Sequence, residues 1–344
     1  MGRKPTVNDI ARVAGVSLAT VDRVLNRRPG VRSVTIEKVN NAVAELGFVR
    51  DAAAVNLARR RFFEMQFVLP ETQNEFVLAL MAAIEEQRGK LLHQRASIDT
   101  RLVPPFDPEA IVELLDAMDP AETDGVAVFG PETPSVRDAV GRARARGIPV
   151  VALVSDLPSS DRTRFVGIDN VAAGRTAAQL MGRFVHDGGR VLVITGSRLA
   201  RDHIERRSGF DAVMSRDFPD LEVVASIEGR DDPAVILDLL PDVFKAYPDL
   251  RGVYSSAAGN PGLIEYLRKA GMAHDVVVVA HELTPSSRLA LTDGTFDAII
   301  SQDTGHLVRS ATRVLMAAAD NSPLNDTQER IRIDIYLRDN MPTL

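Results

Sequence analysis

The stretch TVNDIARVAGVSLATVDRVLN, Thr6 to Asn26, decides how the first part of this chain folds. Thr6 suits the cap of a helix starting at Val7, and Ile10, Ala11 and Ala14 follow at helical spacing. Gly15 breaks that helix, Ser17 offers a second cap, and Val21, Val24 and Leu25 form the next apolar stripe. The spacing predicts a helix-turn-helix: Ala11 is small where the helices cross, Gly15 takes the turn, and Val16 and Val21 fill the gap between them. Pro29-Gly30 ends the unit, and a third helix is expected from about Ser33, with Ile36, Val39, Val43 and Leu46 inward and Gly47 as its stop.

If Val21, Val24 and Leu25 point inward, then Leu18, Ala19, Asp22, Arg23 and Asn26 share the outer face. Arg23 can bond guanine bidentately, while Leu18 and Ala19 can meet thymine methyls or fit the groove. The bland alternative is a helical bundle whose basic residues only solvate it. Charge argues against that alternative. Residues 1–61 hold 12 Lys and Arg against 5 Asp and Glu, whereas the remainder holds 29 against 42. A basic head on an acidic body implies that the head alone meets a polyanion.

The chain of 344 residues has room for two or three cores. It has no cysteine, so disulfides and thiolate-held metals are excluded. The six histidines lack metal-binding spacing, and no phosphate loop or nucleophile–base pair stands out. No metal, no cofactor and no catalysis are therefore expected. The N-terminal MGRKPTVNDI is charged without the apolar run of a signal peptide, and no membrane-length apolar stretch follows, so a cytoplasmic protein without membrane contact is expected.

Residues 5–61 resemble the lac repressor (LacI/GalR) family. The opening stretch is similar to that family's first two helices, VTIEKVNNAVAELGF to its third, and AAAVNLARR to its hinge. The resemblance implies a DNA-binding domain over residues 1–50 and a hinge helix over 51–61 that orders when two subunits sit on DNA. It implies DNA contacts from Thr6, Ser17, Leu18, Ala19, Thr20, Asp22, Arg23 and Asn26 in the head, and from Ala54, Leu57 and Arg59 in the hinge. Leu57 corresponds to a leucine wedged into the minor groove, which kinks the duplex. Asp22 departs from the family pattern, which has serine there. An aspartate cannot bond a phosphate, which leaves two options: accepting from cytosine N4, or pairing with Arg12 or Arg27. Either way its expected effect is on sequence choice rather than affinity.

Beyond residue 61, short apolar runs alternate with helical patterns. The runs include EMQFVLPE, GVAVFG, IPVVALVS, RVLVITG, RGVYSS, VVVVAHE and FDAIISQD. Such alternation implies parallel sheets covered by helices on both faces, and the length fits two doubly wound units with a cleft at the strand ends. This body resembles the periplasmic sugar-binding proteins, most specifically in FVGIDNVAAGRTAAQLM and VLVITGSRLARDHIERRSGFDAVM. The resemblance implies an effector-binding and dimerisation domain over 62–344. Its N-lobe would span about 64–164 plus a segment returning after 301, and its C-lobe about 165–300.

Polar residues at the strand ends are candidates for the effector: Asn74, Ser155, Asp156, Arg206, Ser256, Asn260, Glu282 and Gln302, with Phe76 as a stacking face. Planar groups with donor and acceptor edges beside an aromatic ring suit a sugar. Any one of them alone is equally a loop residue at a helix cap. The resemblance puts Arg206, Glu282 and Gln302 at ligand-contact positions, with Glu282 where the family more often has aspartate. His203 and His281 lie beside the same cleft. The chain is thus expected to be a repressor binding a palindromic double-stranded operator as a homodimer, controlled by a small sugar, polyol or cyclitol. A transport binding protein and a sugar-processing α/β enzyme are the alternatives. The tail YLRDNMPTL lacks leucine heptads, which favours a dimer over a tetramer.

Overall fold

The computed structural model describes residues 5–25, 29–48 and 62–343. The expected DNA contact Asn26, the candidate Asp22 partner Arg27, and the hinge residues Ala54, Leu57 and Arg59 lie outside the described residues. The head and the body form two compact units, each described by itself.

The head contains helices α1 (Val7–Ala14), α2 (Leu18–Leu25) and α3 (Ser33–Leu46). Thr6 donates from its N–H and hydroxyl to the Asp9 carboxylate at 2.9 and 2.8 Å, tying down the start of α1. Gly15 takes φ 65°, a left-handed conformation that closes α1, and the Val16 N–H returns to the Ala11 carbonyl at 3.1 Å. Ile10, Val21, Val39 and Ala42 are buried at the centre, with Ala11, Val16, Val24, Leu25, Val43 and Leu46 packed around them. Ile36, expected inward, is 39% exposed instead, because α3 turns Val39, Ala42, Val43 and Leu46 to the core and leaves its first turn outside.

The body continues in chain order: β1 (Phe63–Pro70), α4 (Glu75–Leu91), β2 (Ala96–Val103), α5 (Pro108–Ala117), β3 (Gly125–Val128), α6 (Pro134–Ala145), β4 (Val150–Leu153) and β5 (Arg164–Val166). Then come α7 (Asn170–Phe184), β6 (Gly189–Thr195), α8 (Arg201–Asp217), β7 (Leu221–Val223), β8 (Ile227–Glu228), α9 (Pro233–Ala246) and β9 (Leu250–Ser255). Last are α10 (Asn260–Lys269), β10 (Val277–His281), α11 (Pro285–Thr292), β11 (Ala298–Ser301), α12 (Thr304–Ala319) and β12 (Asp334–Tyr336).

Two parallel sheets result. The first runs β2-β1-β3-β4-β5, and the second runs β12-β11-β10-β9-β6-β7 with β8 beside β6 and β12 antiparallel at its edge. Each sheet defines one lobe. Strand β1 shows why both faces are covered: Phe63, Met65, Phe67 and Leu69 enter a core shared with α4, α7 and α12, while Val68 faces α5 and α6. On the second sheet Leu192, Ile194, Val253 and Val278 pack under α9, α10 and α11. The two-lobed, doubly wound α/β fold expected from the alternating runs is the fold found.

The lobe boundaries differ from those expected. Val151 pairs with Arg164 and Leu153 with Val166, so β5 belongs wholly to the first sheet and a boundary at 164 cuts through a strand. The chain crosses over after Val166. The segment after 301 returns to the first lobe only with α12, since Ile299 pairs with Tyr336 and carries β12 back into the second sheet. Among the described residues no helix is long and apolar enough to cross a membrane.

Candidate functional site

In the head, Leu18, Ala19, Asp22 and Arg23 lie exposed on one side of α2, with Leu18 50% exposed although apolar. Ser17 caps this helix, its hydroxyl accepting from the Thr20 N–H at 3.2 Å and meeting the Thr20 hydroxyl at 2.9 Å. Both hydroxyls therefore first organise the helix start. Arg12 lies 3.5 Å from Asp9 on its own helix. An apolar side chain and a guanidinium together on an exposed, short, well-capped helix suit a major groove.

In the body, a small chamber lies between the lobes. The first lobe lines it with Asn74, Phe76, Phe129 and Val154, and the second with Asp202, His203, Arg206, Asp231 and Glu282. Asn74 caps α4, its Oδ1 accepting from the Phe76 N–H at 2.9 Å, which fixes the ring behind it. Phe76 and Phe129 meet edge to face, 6.5 Å between centroids, and form the aromatic wall.

Arg206 sits deep because α7 and α8 approach backbone to backbone. A Cβ on Gly174 would lie 1.9 Å from the Arg206 carbonyl oxygen, and one on Gly209 would lie 2.1 Å from the Val171 carbonyl oxygen. At that crossing the Arg206 Nε donates to Asn170 Oδ1 at 2.9 Å and Nη1 donates to the Ser256 carbonyl at 2.9 Å. Nη2 faces Asp202 at 3.9 Å and Glu282 at 3.8 Å, both beyond a direct hydrogen bond. Glu282 adopts φ 67° and is held there by its N–H on the Ile300 carbonyl at 2.8 Å and its carbonyl under the Ser287 hydroxyl at 2.6 Å. Gln302 Nε2 donates to Glu282 Oε1 at 2.9 Å, and the Ser301 hydroxyl and Gln302 N–H reach Oε2 at 3.3 Å each.

Burial pushes the Glu282 carboxyl above its ordinary value, although Arg206 and its hydrogen bonds pull the other way. Burial also raises Asp231, whose Oδ1 accepts from the Ala258 N–H at 3.1 Å. Burial opposes ionisation of Asp202 too, but the His203 edge and Arg206 outweigh it and hold that carboxyl below its ordinary value. His281 lies behind the site, bonded through Nε2 to the Tyr254 hydroxyl at 2.9 Å, and burial keeps it neutral.

Several expected contacts have other work. Asp156 does not line the chamber; it takes both prongs of Arg162, at 2.5 and 2.8 Å, and the Leu157 N–H. Ser256 turns its hydroxyl to the Ile194 carbonyl and offers only its own carbonyl, to Arg206. Asn260 lines the outer cleft, but its amide bonds the Ser255 hydroxyl and the His281 carbonyl. Gln302 supports Glu282 from a groove on the other side. Ser155 lines the adjoining part of the cleft and accepts the Asp202 N–H at 3.3 Å, a bond from lobe to lobe. Further bonds join the lobes: the Glu132 N–H to the Leu199 carbonyl at 3.0 Å, and the Ser286 N–H and hydroxyl to Glu75 Oε2 at 3.4 and 2.5 Å.

Sequence reasoning missed Phe129, Asn170, Asp202 and Asp231. Asp202 was within reach, since it stands four residues before Arg206 on one helix face. Asp231 follows a two-residue strand and takes φ 58°, so no periodic signal marks it.

Comparison with known proteins follows the same division. Residues 65–323 match the model of the periplasmic binding protein domain, and residues 6–51 match that of the bacterial regulatory proteins, lacI family. The HTH-type transcriptional regulator DegA of Bacillus subtilis is 27% identical over 212 residues, 61% of this chain and 61% of its own length. The HTH-type transcriptional regulator GntR of Pseudomonas aeruginosa is 27% identical over 287 residues, 80% of this chain and 78% of its own. The ribose import binding protein RbsB of Salmonella typhimurium is 25% identical over 238 residues, covering 68% and 77%. The match thus spans about three-fifths of DegA and over three-quarters of the other two. Among solved structures, an ABC transporter solute binding protein from Burkholderia graminis in complex with D-arabinose superposes with TM-score 0.74 at 22% identity, covering 86% of this chain and 99% of that one. GanP, a glucose-galactose binding protein from Geobacillus stearothermophilus, also gives TM-score 0.74, at 18% identity over 82% and 100%. At these identities the superpositions speak for the fold alone.

Proposed function

The chain belongs to the lacI family of bacterial regulatory proteins, its body a periplasmic binding protein domain, and from this premise we propose that it is a sequence-specific repressor whose DNA affinity is set by a small polyhydroxylated effector. The observation that carries the reading is the chamber lined from both lobes in a chain whose head displays a groove-fitting helix. Because both lobes touch one ligand, that ligand changes the free energy of lobe closure, and it shifts DNA affinity only through its differential affinity for the two lobe arrangements. The aromatic wall and the converging planar polar groups support a sugar, polyol or cyclitol. The regulator acts as a homodimer on a palindromic operator in the cytoplasm, with Leu57 of the hinge wedged into the minor groove, Ala54 and Arg59 also contacting the DNA, and no catalytic step. A transport binding protein is the second reading, favoured by the likeness to RbsB; the match of residues 6–51 to the lacI family favours the regulator.

The test is operator selection followed by titration. The full chain should select a palindromic site from random duplexes, with affinity falling steeply as salt rises, because Lys and Arg contacts release counterions. Residues 62–344 alone should bind effector and ignore DNA. A headless protein that keeps operator affinity would refute the division of labour. Sugar binding that leaves operator affinity unchanged would refute the coupling.

A further inference from the structure

The chamber is more acidic than a neutral sugar requires. Asp202, Asp231 and Glu282 line it, and among the described residues lining it Arg206 is the one permanent cation. His203 beside them accepts the Ser197 N–H on Nδ1 at 3.2 Å and turns Nε2 toward Asp202 Oδ2 at 3.6 Å. The outer cleft keeps the same sign: Glu75 and Asp232 join on the acidic side, against Arg230.

The carboxylates differ in what they already hold. Both oxygens of Glu282 receive donors from Gln302 or Ser301. Asp202, only 3% exposed, has its Oδ1 buried without a hydrogen-bond partner among the described residues, while its Oδ2 lies 3.6 Å from His203 Nε2. Leaving a buried carboxylate oxygen unmet is costly, so Asp202 Oδ1 wants a donor from the occupant of the chamber. Phe76 and Phe129 also line the chamber, and an aromatic ring face attracts a cation as well as sugar C–H groups. Arg206 Nη2, with no carboxylate within hydrogen-bond reach, asks instead for an oxygen acceptor.

From this we propose that the effector is a polyhydroxylated amine, an amino sugar or aminocyclitol, whose ammonium group is received by Asp202 and Asp231 and whose hydroxyls meet Arg206 and Asn74. The proposal rests on the chamber being the effector site. The elevated carboxyl of Asp231 fits it: burial raises that carboxyl and Asp202 adds to the rise, although His203, the Ala258 N–H and Arg206 pull the other way, and an arriving ammonium would add to that pull. Acetylating the amine would remove the charge and add bulk in a small chamber.

The test is calorimetry on the full chain with matched triplets: glucosamine, glucose and N-acetylglucosamine; galactosamine, galactose and N-acetylgalactosamine; and scyllo-inosamine with scyllo-inositol. In at least one triplet or pair the amine should bind about ten- to a hundredfold more tightly than its hydroxyl parent, the range expected for a hydrogen bond to a buried charge. Asp231→Asn and Asp202→Asn should each remove that preference, bringing the amine down to its parent; if one variant fails to fold, the other carries the test. A neutral sugar that binds more tightly than its amine overturns the charge assignment while leaving a sugar-responsive regulator intact. An amine preference that survives both substitutions likewise overturns it. Failure of every compound to bind, amine and neutral alike, overturns both readings.

Discussion

Replacing a helical glycine with alanine should have opposite signs at two positions of this body. Gly89 lies on an exposed part of α4, and a Cβ there would meet nothing within 4 Å. Gly89→Ala should stabilise by about 0.5–1 kcal/mol, because alanine loses less backbone freedom on entering a helix. Gly174 has the same helical setting in α7, but its Cβ would lie 1.9 Å from the Arg206 carbonyl oxygen and 2.7 Å from the carbonyl carbon. Those atoms are backbone and cannot swing aside. Real Cβ contacts do not fall below 3.0 Å, so α7 and α8 must part by roughly 1 Å. Overpacking of this kind costs about 1–3 kcal/mol or more, and the gain in helix propensity offsets at most about 1 kcal/mol of it. At about 2–4 °C per kcal/mol, Gly174→Ala should melt several degrees below the parent and Gly89→Ala slightly above it. The same displacement moves the backbone that carries Arg206, so Gly174→Ala should also weaken effector binding, which calorimetry reads separately. A Gly174→Ala protein as stable as Gly89→Ala, with unchanged binding, would refute the argument that close helix approach positions Arg206.

Arg206→Ala should lose effector binding, because Nη2 faces the chamber between Asp202 and Glu282, yet keep operator binding; operator complexes that respond to effector as the parent does would remove Arg206 from the site. Asp22→Ser should change the half-site recovered by selection rather than abolish binding, since a serine hydroxyl reaches phosphate while a carboxylate reads a base donor; identical selected sites would deny Asp22 a role in readout. Burial raises Glu282 above its ordinary 4.5, so the folded protein keeps a proton that the unfolded chain has released. The stability linked to that proton is fully present below about pH 4.5 and is lost as pH rises through the elevated value. Glu282→Gln, which cannot ionise, should therefore show a smaller loss of urea midpoint between about pH 4.5 and pH 7 than the parent; parallel curves would mean that Glu282 titrates normally.

Much of this protein is local and so was legible in residue order. The head follows from spacing within a few turns: Thr6, Gly15 and Ser17 punctuate helices whose Ile10 and Val21 meet in the core. The strands β1, β3, β4, β6, β9, β10 and β11 announce themselves as apolar runs because parallel strands are buried on both faces. Strand β2 does not, since ASIDTRLV lies at the edge of its sheet and leaves Asp99, Arg101 and Leu102 exposed, so its pattern is half polar. Candidate polar groups at strand ends were equally visible, but not their assignments. Asp156 and Arg162, six residues apart, satisfy each other, whereas Asp202 is brought to Ser155 across 47 positions and Glu75 to Ser286 across 211.

Sequence alone therefore determined the helix-turn-helix, the doubly wound body and a set of residues able to recognise a polyhydroxylated ligand. Tertiary structure decided which of those residues share a chamber, that two glycines bring Arg206 into it, and that its carboxylates outnumber its cations. The physical reason is range: helix and strand patterns are set by neighbours within a few residues. The charge balance of a cleft is set by groups that only long-range packing brings together, and burial there amplifies what each charge does to the next.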